Sequence, residues 1–414
     1  MKNISRFFTL YWIVYFPTCI AYNDLPGFSS VDEAMTLLLL LYTFMMYGSK
    51  YINKKPWKEF MVCLGVIAFY VVYSLLFGAN VKDAVWLDLM QEIRPYSIIF
   101  CTWILNPQFT KRQKKWMLIT MIATLFSWIM YHPQTLDSQV EAEFSVLGQL
   151  AICTGMSYYL FTKDTKMNRL IALGLVLTGM LAPKFKFMGE VVCFIAFVFF
   201  LKHRLNFKSP KTMIYCALVM FVVLIVTWSK FDVYYVSGLD NEYLARPMTY
   251  KTSVKILWDY LPFGSGMGSF ACNGAWKYYS PLYFTYNLDG IWGLSPDTGY
   301  FICDAYYPTL AQFGIVGVFF FCWFWKRRLA AIDIIADIRY YRVAMITFCC
   351  LAIEQTADSS WLSGKGMGYC MLIALCLNAN RNQMMDMKRQ QILKRKKELL
   401  LEEKRKQMER MSND

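Results

Sequence analysis

Thr212-Met-Ile-Tyr-Cys-Ala-Leu-Val-Met-Phe-Val-Val-Leu-Ile-Val-Thr-Trp228 is seventeen residues long and carries no charge. As a helix it would measure about 26 Å, close to the ~30 Å hydrocarbon thickness of a bilayer. Lys202, Arg204, Lys208 and Lys211 stand before it, and a polar stretch of about eighty residues follows. Eleven other apolar runs share its character: 7–22, 34–48, 60–78, 95–106, 116–131, 145–161, 168–182, 188–201, 309–325, 342–354 and 366–379. The fourth and eleventh runs in chain order are the shortest. A chain that is 57% apolar and only 17% charged is far from the composition of a water-soluble domain. The expectation is an all-α, polytopic membrane protein of about 12 transmembrane helices.

Basic residues give this arrangement a direction. With the N-terminus inside, the cytoplasmic segments hold 33 of the 43 Lys and Arg residues, and the opposite side holds ten. Both termini then lie in the cytoplasm, and the long polar stretch lies outside. The expected organisation is spans 1–9 in 1–228, an extracytoplasmic loop with short helices in 229–308, spans 10–12 in 309–380 and a basic tail in 381–414. The net charge of +14 is mostly this bias, so it gives no reason to expect nucleic acid. Lys2 and Arg6 before an apolar run imitate a signal peptide, but the further spans favour an uncleaved first helix.

The remaining loops are read more briefly. Thirteen scattered cysteines without paired spacing suit packing better than a metal site. Cys272 and Cys303, both in the outer stretch, are the pair that could bond. Asp32 and Glu33 read as a solvated negative loop, Arg94 as a side chain snorkelling to headgroups, and His132 as a surface residue. Lys184 and Lys186 run against the charge bias in a tight outer turn; they reach either lipid headgroups or a phosphate at the mouth of a cavity. The tail repeats apolar residues at sevens and reads as a basic amphipathic helix on the inner leaflet.

An outer loop of eighty residues is long for a mere connection. It contains Leu244-Ala-Arg-Pro-Met-Thr-Tyr-Lys-Thr-Ser-Val-Lys-Ile-Leu-Trp-Asp-Tyr-Leu-Pro-Phe-Gly-Ser-Gly-Met-Gly-Ser-Phe270. Pro247 suits the first position of a helix with Arg246 as its cap, and Pro262 ends the pattern. Gly264, Gly266 and Gly268 then form a turn. It serves either close helix packing or, through its backbone N–H groups, a phosphate. No strand precedes these glycines and no Gly-Lys-Ser/Thr follows, which excludes a nucleotide loop. The loop's many Trp and Tyr side chains suit sugar rings and membrane interfaces equally well.

The segment from Arg246 through Trp258-Asp-Tyr-Leu-Pro-Phe-Gly-Ser-Gly-Met-Gly-Ser-Phe270 resembles the signature of the O-antigen ligase and O-antigen polymerase superfamily. Cys303-Asp-Ala-Tyr306 with Gly314-Ile-Val-Gly317 is similar to that family's next signature, with Cys303 where its ligases carry a His. Lys184 and Lys186 match its basic turn after the seventh span, and the twelve-span layout with a large outer loop between spans nine and ten is also shared. The resemblance implies glycan transfer from an undecaprenyl-diphosphate-linked oligosaccharide to a sugar hydroxyl, outside the cytoplasmic membrane and without metal or other cofactor. Arg246 would clamp the diphosphate with Lys184 or Lys186 assisting, and Gly264, Gly266, Gly268 and Tyr306 would line the substrate site. With no His at position 303, Asp304 and Asp297 are the candidate bases; Glu354 and Asp358 are weaker ones. Membrane lipids and assembly proteins such as a chain-length regulator complete the implied partners.

Polymerisation of lipid-linked repeat units of a surface polysaccharide is the leading reading. Ligation of glycan to lipid A core is the alternative within the same chemistry. A lipid-linked oligosaccharide flippase is expected to show charges within its spans and short, even loops, whereas this chain has one dominant loop. A non-catalytic assembly subunit would use the basic tail as its contact surface.

Overall fold

The structure is a computed structural model that describes residues 2–24, 30–50, 52–131, 141–181, 184–206 and 208–385, with Met387, Gln391 and Glu398. His132 and most of the basic tail lie outside the described residues. Among those described, every regular element is helical. In chain order these are α1 (Lys2–Asp24), α2 (Val31–Met45), α3 (Trp57–Phe77), α4 (Lys82–Leu105), α5 (Lys111–Tyr131), α6 (Glu141–Phe161) and α7 (Lys166–Leu177). They are followed by α8 (Phe185–Ile195), α9 (Pro210–Tyr235), α10 (Ala245–Asp259), α11 (Asn273–Lys277), α12 (Leu282–Thr285), α13 (Gly314–Asp333), α14 (Ile338–Ala357) and α15 (Met367–Leu377). The twelve apolar runs fall on helical stretches in the same order. Among the described residues, three helices are long and apolar enough to cross a membrane: Trp57–Phe77, Pro210–Tyr235 and Tyr307–Asp333.

Local chemistry accounts for several boundaries. Pro210 opens α9 at a position whose missing N–H costs nothing. The Asp337 side chain accepts a bond from Arg339 N at the start of α14, and Thr165 does the same for Asn168 N at the start of α7. α10 starts two residues earlier than its sequence suggests, with Leu244 as cap and Arg246 inside the first turn. Pro247 is tolerated there because none of the first four N–H groups has an intrahelical partner. α9 also continues to Tyr235, seven residues beyond the apolar run.

The centre of the molecule is formed by α4 and α15. Every residue of α15 from Met367 to Cys376 is buried. α4 packs against α2, α3, α11 and α15. Its charges explain why hydropathy recognises only its second half. Arg94 is 1% exposed and pairs with Asp32 and Glu33 of α2, both at 2.6 Å, while also donating to the Leu362 carbonyl. Arg94 therefore does not snorkel, and Asp32 and Glu33 are not a solvated loop. The triad ties α2, α4 and the turn before α15 together.

The stretch 229–308 has a small core of its own, in which Ile256, Phe270, Leu282, Tyr283, Leu294 and Ile302 come together. Cys272 and Cys303 remain free thiols. Cys272 instead caps α11, its Sγ accepting from Ala275 N at 3.4 Å.

Candidate functional site

Two clusters of charge meet at one end of α8, α10 and α14. The first is centred on Lys186, in the first turn of α8. Its Nζ lies 2.7 Å from Glu354 Oε2 and 2.6 Å from Asp358 Oδ2, at and just beyond the end of α14. Lys365 Nζ approaches Asp358 from the other side at 3.6 Å. The Ser360 hydroxyl donates to Glu354 Oε2 at 2.9 Å, and Gln149 Nε2 donates to the Ser360 hydroxyl at 2.5 Å. One turn along α8, the fully buried Glu190 accepts from the Tyr369 hydroxyl at 3.0 Å, and its carboxyl lies against Glu354.

Burial opposes ionisation of both partners here, yet the pairing outweighs it. Burial pushes the Asp358 carboxyl up, but Lys186 and Lys365 bring it well below the usual carboxylate range. Burial likewise pulls the Lys186 amine down, and Asp358 and Glu354 hold it above its ordinary value. Lys186 and Asp358 thus form a charged pair at neutral pH.

The second cluster is Arg246 with Asp304. Arg246 Nε donates to Asp304 Oδ2 at 2.6 Å, and its Nη2 reaches the same oxygen. No hydrogen bond is made at Asp304 Oδ1 among the described residues. The guanidinium lies 4.2 Å from the centre of the Tyr234 ring, on which it stacks as a cation. Burial pushes the Asp304 carboxyl above the usual range, and Arg246 offsets only part of this.

Two tyrosines join the clusters. The hydroxyls of Tyr235, at the end of α9, and Tyr250, on α10, both donate to the Thr356 carbonyl, at 2.6 and 2.9 Å. Thr356 lies between Glu354 and Asp358, so these bonds fix Arg246 beside the Lys186 cluster. Asp304 accordingly feels the charges of both Asp358 and Lys186.

Of the residues singled out in the sequence, Arg246, Asp304 and Lys186 come together, joined by Glu354 and Asp358. Lys184 sits at the start of α8 as its cap residue. Asp297 is exposed in a turn of the stretch 229–308. Tyr306 turns from the cluster into the protein, where its hydroxyl donates to Glu92 Oε2 at 3.3 Å.

The glycine turn is closed by the chain itself. Gly264 N donates to Tyr260 O, Gly266 N to Gln312 O, and Gly268 N to Asp88 Oδ2 and the Gln312 side chain. Gly268 has φ +76°, and a Cβ there would lie 2.7 Å from the Ala84 backbone of α4. These glycines are therefore engaged in close packing against α4 and the Tyr307–Phe313 turn, and their N–H groups are spent.

Glu190, Tyr235, Tyr250 and Ser360 were not foreseen from the sequence. For Glu190 a signal exists: a lone carboxylate in an apolar run, four residues after Lys186, shares a helix face with it. Nothing comparable marks the tyrosines or the serine, whose roles depend on the distant Thr356 and Glu354. No family model matches the chain, and no curated protein matches it.

Proposed function

We propose that the chain is a multi-pass protein of the cytoplasmic membrane, its twelve apolar helices spanning the bilayer and both termini in the cytoplasm. On the outer face it polymerises oligosaccharide repeat units linked to undecaprenyl diphosphate. The observation that carries this reading is the meeting of Arg246–Asp304 with Lys186–Glu354–Asp358 at one end of the helices.

Glycan transfer breaks the bond between the anomeric carbon and the diphosphate oxygen, and forms a bond from that carbon to an acceptor hydroxyl oxygen. The departing diphosphate needs positive charge, which Arg246 and Lys186 supply by exchanging part of their carboxylate pairing for phosphate oxygens. The acceptor hydroxyl loses its proton to a base. Asp304 suits this role because Arg246 occupies only Oδ2 and leaves Oδ1 for the hydroxyl. Asp297, exposed in a turn, is given no part in the step.

The test is transfer by the purified protein in lipid, supplied with undecaprenyl-diphosphate oligosaccharide as its sole glycan substrate. A ladder of lengthening lipid-linked products, absent in Arg246→Ala, is the expected result. Transfer that begins only after lipid A core is added identifies a ligase instead. A full ladder from Arg246→Ala at normal expression overturns the assignment of Arg246.

A further inference from the structure

A second feature lies apart from the charged clusters. Between α3 and α13 runs a half-enclosed cleft, with about 60 Å³ open to the centre of a water-sized sphere. Its walls are mostly apolar and aromatic, with Cys63, Ile67 and Tyr70 on α3 facing Phe320, Phe321 and Phe324 on α13. Both helices belong to stretches long and apolar enough to cross a membrane, so on the multi-pass reading proposed above the cleft would lie between two membrane-spanning segments.

One carboxyl lines this cleft. Glu92 of α4 is 3% exposed; Oε2 accepts from Tyr306, and Oε1 is buried without a partner. Tyr306 also contacts the Tyr96 hydroxyl, so two phenols and the carboxyl form a short polar row at the inner end. Among the described residues, no Lys, Arg or His lines the cleft. The nearby cations are committed elsewhere: Arg94 to Asp32 and Glu33, and Arg328 to Glu59.

These features define a ligand by exclusion. A phosphate or carboxylate headgroup would meet a carboxyl with no cation to offset it. A plain hydrocarbon would fill the walls but leave Glu92 Oε1 buried and unsatisfied. A hydroxyl fits, since it donates to a carboxylate and can also accept from a carboxylic acid. We infer that the cleft between α3 and α13 binds an uncharged membrane lipid whose headgroup is a hydroxyl, with that hydroxyl on Glu92 and the chain along the aromatic walls. The site stands independently of glycan transfer, because neither Arg246 nor Lys186 lines it.

The test is photolabelling of the full-length protein in lipid nanodiscs by a diazirine-bearing long-chain primary alcohol, with the labelled peptides mapped by mass spectrometry. Label is expected within 62–70 and 317–324. Unlabelled dodecanol should compete about tenfold better than dodecane or dodecyl phosphate, the discrimination of roughly one hydrogen bond to a buried group. Glu92→Leu should erase that preference while dodecane still competes. Val66→Trp, on the half-buried wall of α3, should block labelling without disturbing the interior, and so tests the site even where the Glu92 variant does not fold. Equal competition by all three compounds, a preference for dodecyl phosphate, or equal labelling of α9 would overturn the proposal.

Discussion

α4 and α9 are both long helices, and they are opposites. α9 is among the most apolar stretches of the chain, yet none of its residues is buried. α4 is interrupted by Asp88, Glu92 and Arg94, yet it lies at the centre, with those three side chains among its buried residues. Hydropathy therefore does not locate the core. A helix surrounded by hydrocarbon must be uniformly apolar, because nothing there can satisfy a charge. A helix surrounded by protein can carry charges wherever other segments supply partners. Asp32, Glu33, Gln312 and Tyr306 supply them to α4.

The sharpest way to break this contrast is at Arg94. Arg94→Leu leaves Asp32 and Glu33 without their cation in a buried setting, and should cost about 3–5 kcal/mol. Thermal unfolding in detergent or lipid would show it; an unchanged midpoint would mean that α4 is not held by its charges.

Next in size is Asp304, which tests whether tertiary burial also tunes the outer cluster. Asp304→Asn should reduce glycan transfer by about a hundredfold or more, since a proton acceptor is removed. In the parent protein, transfer should rise with pH through a midpoint above the ordinary aspartate range, because burial has pushed this carboxyl up and the base works only when ionised. The stability linkage has the opposite slope: folding binds this proton more tightly, so the contribution is full at low pH and is lost as pH rises through the folded value. A pH profile flat across that window would remove Asp304 from the role of base.

Gly268→Ala should cost about 1–3 kcal/mol, because it combines φ +76° with a Cβ pressed against Ala84 of α4. Unfolding measurements would detect this; a neutral outcome would mean that the glycine turn does not bear on α4. The smallest effect belongs to α9. Leu218→Ala, on a side chain that is 59% exposed, should stay within about 0.5 kcal/mol. A larger loss would show that α9 is covered by something other than lipid.

Much of the helical layout was legible beforehand. Runs such as 212–228 announce a helix because an apolar stretch of that length must satisfy its backbone within itself. The failures share one cause. The start of α4 was missed because its charges were scored as if solvated, and Arg94 was assigned to headgroups because Asp32 and Glu33 are some sixty residues away. The cap of α10 lies two residues before the expected one because proline fits several positions in a first turn equally well.

The same division runs through the candidate site. Lys186 stands out in the sequence as a basic residue against the charge bias, Arg246 by its place at the start of a loop helix, and Asp304 beside a stretch that resembles a family signature. Nothing local indicated that Lys186 would pair with Glu354 and Asp358, or that Thr356 would receive two tyrosine hydroxyls from α9 and α10. By itself the sequence determined which segments are helical and which side chains carry unusual charge, because propensity, hydropathy and charge bias act over a few neighbouring residues. Only the tertiary structure decided which charges meet, which helix is central and which carboxyl is left without a partner. Ion pairing and desolvation depend on distances of a few ångströms between residues far apart in the chain, and no local pattern encodes those distances.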